Sequence, residues 1–126
     1  MNLLLDTKAL LWMLQDDERL GPKARQSIEN AHSISISEVS LWEISIKISI
    51  GKMQPIPELL GTIRDLGFRR LSLSDDHLRK YEALPLHHRD PFDCMLLAQA
   101  SIEGLAFVTS DTFLEKYGIH VISTTS

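Results

Sequence analysis

Apolar and polar positions along the chain switch between two periods. Leu3-Leu4-Leu5 is a short apolar run ended by Asp6-Thr7, and Ser33-Ile34-Ser35-Ile36-Ser37 alternates strictly; both read as strands. Between them, Ala9 to Leu14 reads as an apolar helix, and Gly21-Pro22 opens a second helix through about Asn30, with proline suited to the first turn. A helix from about Glu38 to Ile50 follows, with Gly51 as its C-terminal stop. Pro55 to Leu66 reads as another helix ended by Gly67, and Phe68 to Leu73 as a strand. Ser74-Asp75-Asp76 starts a helix to about Leu84, and Pro85 to Arg89 is a loop. Asp90-Pro91-Phe92-Asp93 opens a strongly apolar helix to about Glu103, stopped by Gly104. Leu105 to Val108 is a strand, Asp111 to Tyr117 a short helix and Ile119 to Ile122 a last strand. Strand and helix alternate to the end, which predicts an α/β fold: a three-layer α/β/α sandwich around a mostly parallel sheet.

Composition adds bounds. At 126 residues, 44% hydrophobic and 24% charged, the chain is expected to be one globular domain, residues 1–126, with a core that needs no staples. The single cysteine, Cys94, excludes an internal disulfide and a thiolate zinc site built on several cysteines. Met1-Asn2-Leu3-Leu4-Leu5-Asp6 lacks the basic and long apolar regions of a signal peptide, and no apolar run approaches the roughly 18 residues of a membrane span. The expectation is a cytoplasmic protein. A formal net charge of −4 argues against nonspecific coating of nucleic acid or anionic membrane. It leaves nucleic acid open as a substrate, because carboxylates gathered around a divalent cation raise the negative charge without repelling phosphate locally.

The acids carry the candidate chemistry. In open α/β sheets ligands sit beyond the carboxyl ends of the strands, at a topological switch point. Asp6 directly follows the first strand and Asp111 lies just after the Leu105–Val108 strand, so the two meet if those strands are neighbours. Glu43 and Asp93 come from helices. Such clusters bind Mg²⁺ or Mn²⁺ through oxygen ligands and serve phosphodiester hydrolysis. Each acid also has a structural alternative. Asp6 and Asp111 are plausible N-caps, and Asp90, with Pro91 behind it and Asp93 in the first turn, has the pattern of a cap. Glu43 is placed to pair with Lys47 one turn later, yet Val39, Trp42 and Ile46 lie on or beside its face, which is expected to be largely buried. Glu38 lies off that face and complements the helix dipole.

Taken together, the acids and their flanking residues resemble the PIN domain family, specifically the small toxin ribonucleases of VapC type. The segments that carry the likeness are Leu3-Leu4-Leu5-Asp6-Thr7, Ser37 to Lys47 with Glu43 inside it, Arg89-Asp90-Pro91-Phe92-Asp93-Cys94 to Ala100, and Leu105-Ala106-Phe107-Val108-Thr109-Ser110-Asp111. The resemblance implies a metal-dependent endoribonuclease, the toxin half of a toxin–antitoxin pair, using Mg²⁺ or Mn²⁺. It places metal-binding, catalytic acids on Asp6, Glu43, Asp93 and Asp111, with Thr7, Asp90, Thr109 and Ser110 in support. It further implies a homodimer, inhibited by a small, usually DNA-binding antitoxin. Many relatives carry arginine where this chain has Cys94, a departure that leaves the four acids intact.

Other residues offer less. His87-His88 have no partner at ligand spacing, His32, His77 and His120 are isolated, and Cys94 reads as a small core residue. Trp12, with Leu10, Leu11, Met13 and Leu14, makes its helix apolar nearly all round, which fits either burial or a contact surface. A receiver-type phosphoacceptor domain lacks its acidic pair and its lysine here, and a haloacid-dehalogenase-like phosphatase would need an acid where Lys8 stands. The remaining rival is a noncatalytic module whose acids bind metal or a partner without turnover.

Overall fold

The computed structural model describes residues 1–85 and 90–126. The His87-His88 pair and the end of the expected Pro85–Arg89 loop lie outside them. The elements run β1 (Asn2–Leu5), α1 (Thr7–Leu14), α2 (Pro22–Glu29), β2 (Ser33–Ser37), α3 (Glu38–Ser49), α4 (Leu59–Asp65), β3 (Arg69–Leu71), α5 (Asp75–Ala83), α6 (Pro91–Glu103), β4 (Ala106–Thr109), a 3-10 helix (Thr112–Tyr117) and β5 (Val121–Ser123).

The five strands form one sheet in the order β3-β2-β1-β4-β5, and every pairing is parallel. The chain builds outward from β1 to β3, then returns to the other side of β1 for β4 and β5. That reversal puts the switch point between β1 and β4, where Leu5 is in register with Val108. The Asp6 amide continues the ladder by donating to the Val108 carbonyl at 2.9 Å. Asp6 and Asp111 thus lie at the carboxyl ends of neighbouring strands.

Period-two side-chain alternation divides the sheet between two cores. Leu3, Leu5, Ile34, Ile36, Ala106 and Val108 pack with Leu10, Leu41, Ile44 and Ile63 on one face. Leu4, Phe107 and Val121 pack with Leu96, Leu97, Ala100 and Leu114 on the other. Helices therefore cover both faces, as the α/β/α expectation requires. Each fully buried leucine contributes about 1.5–3 kcal/mol. Because β2 is interior, Ser35 and Ser37 are buried along with Ile34 and Ile36. The Ser-Ile alternation there separates one core from the other, not core from solvent.

The expected helix at Pro55 begins only at Leu59. Ile56, preceding Pro57, is biased away from helical backbone, and Glu58 takes a left-handed φ of 58°. The expected strand Phe68–Leu73 shrinks to a three-residue edge strand. Trp42 is also a correction: it is 63% exposed and packs edge-on against Phe92 with ring centroids 5.5 Å apart. At about 100° per residue it is rotated away from the buried Glu43 and Val39 side of α3.

Candidate metal centre

Asp6, Glu43, Asp93 and Asp111 line one cleft of about 370 Å³, together with Thr7, Asp90, Thr109 and Ser110. Four separate parts of the sequence deliver these acids, so the arrangement exists only in the folded chain.

Asp6 fulfils both of its readings. It caps α1, accepting from the Ala9 amide at 2.6 Å, and it faces the cleft. The Thr109 hydroxyl and the Ser110 amide also bond to its carboxyl. Burial nonetheless raises its pKa above the ordinary carboxylate value, outweighing those donors and nearby Lys8. Asp111 does not cap: its side chain makes no cap bond to the 3-10 helix, while its amide donates to Thr109 Oγ1 at 3.2 Å. Thr109 therefore ties both strand-end acids together from a buried position.

Glu43 is buried where α3 passes α1. Thr7 Oγ1 donates to its Oε1 at 2.6 Å, and Lys47 Nζ lies 3.2 Å from its Oε2. The routine i,i+4 pair and the functional placement are thus compatible. Asp90 is the N-cap of α6, accepting from the Phe92 and Asp93 amides at 2.8 and 3.3 Å, and it stands at the cleft rim. Asp93, in the first turn, is half-buried and pushed up to about 6; desolvation is the largest cause, followed by the negative charges of Asp90, Asp6, Glu43 and Asp111. A carboxyl that feels four others is the electrostatic signature of a site short of positive charge.

All-oxygen donors of this kind suit a hard divalent cation. The set is not a preassembled shell: as they stand, no three His, Cys, Asp or Glu side chains among the described residues converge closely enough to hold a metal ion. Asp6 is turned toward Ala9 and Glu43 toward Thr7 and Lys47, the orientations that mutually repelling carboxylates adopt toward local donors. The donor chemistry fits such an ion.

The sequence reading missed other residues here. Lys8, Leu11 and Trp12 line the same cleft. Thr124, fully buried just beyond β5, bonds through Oγ1 to Ser110 Oγ at 2.8 Å, and its amide donates to the Thr109 carbonyl at 3.1 Å. Lys8 and Trp12 share a helical i,i+4 spacing on α1 that marks them as neighbours, whereas no sequence signal links Thr124 to residues near 110. Cys94, the departure from the family pattern, is buried in the second core. His77 is buried too, and it holds α5 to α6 through a 2.9 Å contact with Glu103.

Comparison with known proteins identifies the family and the fold. The PIN domain family model matches residues 3–119, and the chain belongs to that family. It is 25% identical over 119 residues to Ribonuclease VapC22 of Mycobacterium tuberculosis, covering 92% of each chain. Among solved structures, a toxin–antitoxin complex from Klebsiella pneumoniae is similar with a TM-score of 0.66 at 20% identity, covering 97% of both chains. VapBC2 from Rickettsia felis, bound to a DNA fragment from its promoter, gives 0.69 at 15% identity with 98% of both covered. DNA-bound VapBC from Salmonella typhimurium gives 0.69 at 18%, also with 98% of both covered. These last likenesses establish the shared fold. Among the described residues no helix is long and apolar enough to cross a membrane.

Proposed function

We propose that the chain is a metal-dependent endoribonuclease, hydrolysing RNA phosphodiester bonds with Mg²⁺ or Mn²⁺, and the toxin component of a toxin–antitoxin pair. The observation that carries this reading is the gathering of Asp6, Glu43, Asp93 and Asp111 into one cleft, with Asp93 raised to about 6 by burial and by the other acids. The likeness to a VapC ribonuclease supports RNA as the substrate, and the likeness to VapBC complexes supports an antitoxin partner. A homodimer, a DNA-binding antitoxin and a cytoplasmic location belong to the same reading.

Asp6, Asp93 and Asp111 would hold the ion, and Glu43 would complete the set or orient water. A bound divalent ion supplies an acidified water and offsets charge developing at phosphorus. The chain's own residues do the positioning. The Thr109 hydroxyl anchors Asp6 and accepts from the Asp111 amide, keeping the two strand-end acids in register. Thr7 and Lys47 fix Glu43 from opposite sides, holding its carboxylate at the cleft edge. Asp90 serves by capping α6, which aims Asp93 inward.

One observation favours the rival, a noncatalytic binding module: the acids are not preassembled into a ligand shell. RNA cleavage by the purified chain, freed of any co-purifying partner, separates the two. Cleavage that requires Mg²⁺ or Mn²⁺, stops with EDTA and is lost in Asp93→Asn supports the nuclease. Folded protein that binds the ion, cleaves no RNA and is harmless on expression supports the module.

A further inference from the structure

We propose that the indole of Trp12 is the nucleobase platform of the acidic cleft, stacking on a base of single-stranded RNA beside the phosphodiester held at the carboxylates. The inference rests on the ribonuclease reading and adds the substrate contact to it.

The apolar run Leu10–Leu14 divides by role. Leu10 is buried in the first core and Leu11, Met13 and Leu14 pack against it, whereas Trp12 belongs to neither core cluster of the described residues. Its ring is instead part of the cleft lining, with Asp6, Glu43, Asp93 and Asp111. Trp12 is half-buried outside both cores, and cations rather than apolar side chains lie over its ring.

Its neighbours point to the ligand. Lys8 Nζ lies over the indole at 5.6 Å from the ring centroid and the Arg19 guanidinium over it at 4.8 Å, so a stacking base displaces the Lys8 ammonium from the ring. Lys8, one turn earlier on α1, also lines the cleft and makes no ion pair with any described residue. Arg19 is held by Asp17 through Nε at 3.1 Å and Nη2 at 2.7 Å, which fixes the plane of the guanidinium near the indole. Carboxylates alone repel a phosphate backbone, so affinity for RNA has to come from the rim. Aromatic and guanidinium planes beside a mobile ammonium suit a stacked base and its adjoining phosphate. An apolar peptide would gain nothing from the two flanking cations. A base already stacked in a duplex has no exposed ring face, so the platform selects single strands.

The test uses oligoribonucleotide binding in EDTA, where cleavage is absent, read by anisotropy of a labelled 12-mer homopolymer, single-stranded or annealed to its complement. Trp12 emission is followed in parallel in a Trp42→Phe background, since the chain has two tryptophans. The single strand should quench Trp12, and the duplex should bind more weakly. Trp12→Leu should lose about tenfold to hundredfold in single-strand affinity, the range for one stacked base, with Trp12→Phe intermediate. A matching loss in kcat/KM with Mg²⁺, at unchanged thermal stability, completes the expected result. Equal affinity in Trp12→Leu and the unaltered chain overturns the proposal, even if the unaltered chain cleaves RNA in an ion-dependent way. It is equally overturned if Trp12→Leu weakens only capture of a partner protein. Failure of the unaltered chain to bind or cleave any RNA sinks both this inference and the ribonuclease reading.

Discussion

Thr7 Oγ1 donates to Glu43 Oε1 at 2.6 Å, joining residues 36 positions apart at the inner edge of the acidic cleft. Both groups are buried, so the bond stands in for hydration that the fold largely removes. Thr7→Val keeps the shape and leaves a buried carboxylate oxygen without this donor. Urea unfolding should show a loss of about 1–3 kcal/mol, and Thr7→Ser should recover most of it. Lys47→Met removes the half-exposed partner on the other oxygen and should cost under about 1 kcal/mol.

Asp93 predicts a pH dependence with a definite sign. Its folded value of about 6 lies above the ordinary aspartate value near 3.9, so the folded chain binds the proton more tightly than the unfolded one. Stability therefore falls as pH rises from about 4 to 6, and the penalty is complete above 6. Asp6, also raised, acts with the same sign. Asp17, lowered to about 2 chiefly by Arg19, acts oppositely but only below about 4. Thermal melts of the metal-free chain should thus show Asp93→Asn more stable than the unaltered chain at pH 7.5, with the difference shrinking toward pH 4. Carbon-13 NMR of the Asp93 carboxyl should titrate near 6 without metal and fall well below that with Mg²⁺.

Thr124 braces the loop that carries Asp111. Its hydroxyl meets Ser110 Oγ, and the Ser110 amide in turn bonds to Asp6. Thr124→Val should lower kcat several-fold with KM nearly unchanged, because the loop shifts while the Lys8–Trp12 rim of the cleft stays in place. Thr124→Ser should restore kcat, which a role in packing alone would not require.

His77 marks the boundary of the site. Its Nδ1 accepts from the Ser74 amide at 3.0 Å and its Nε2 meets Glu103 at 2.9 Å, so one ring caps α5 and ties it to α6. His77→Leu leaves the Ser74 amide without its partner and should cost about 1–3 kcal/mol in unfolding. Ion-dependent cleavage at temperatures where the variant is folded should not change, since His77 is no part of the cleft lining.

The layered fold and the acids were legible in the sequence because each rests on a local signal. A carboxylate after an apolar strand, as at Asp6, or in the first turn behind a proline, as at Asp93, follows from backbone rules alone. What was not legible depends on meetings across the chain. Thr124 finds Ser110 only because β5 pairs with β4, and isolated His77 gains its role only when α5 packs on α6. Trp42 was expected on a buried face and Trp12 either in the core or on a contact surface; helix rotation carries the first outward and places the second in the cleft lining. Similarly, Pro55 looked like a helix start, until Pro57 and the left-handed Glu58 delayed it.

Calorimetric titration with Mn²⁺ at pH 7.5 tests whether Asp6, Glu43, Asp93 and Asp111 act as one metal centre. The unaltered chain should bind the ion, Asp93→Asn should lose that binding, and Asp90→Asn, whose side chain still caps α6, should retain it within a few-fold. Undiminished Mn²⁺ affinity in folded Asp93→Asn would contradict the account.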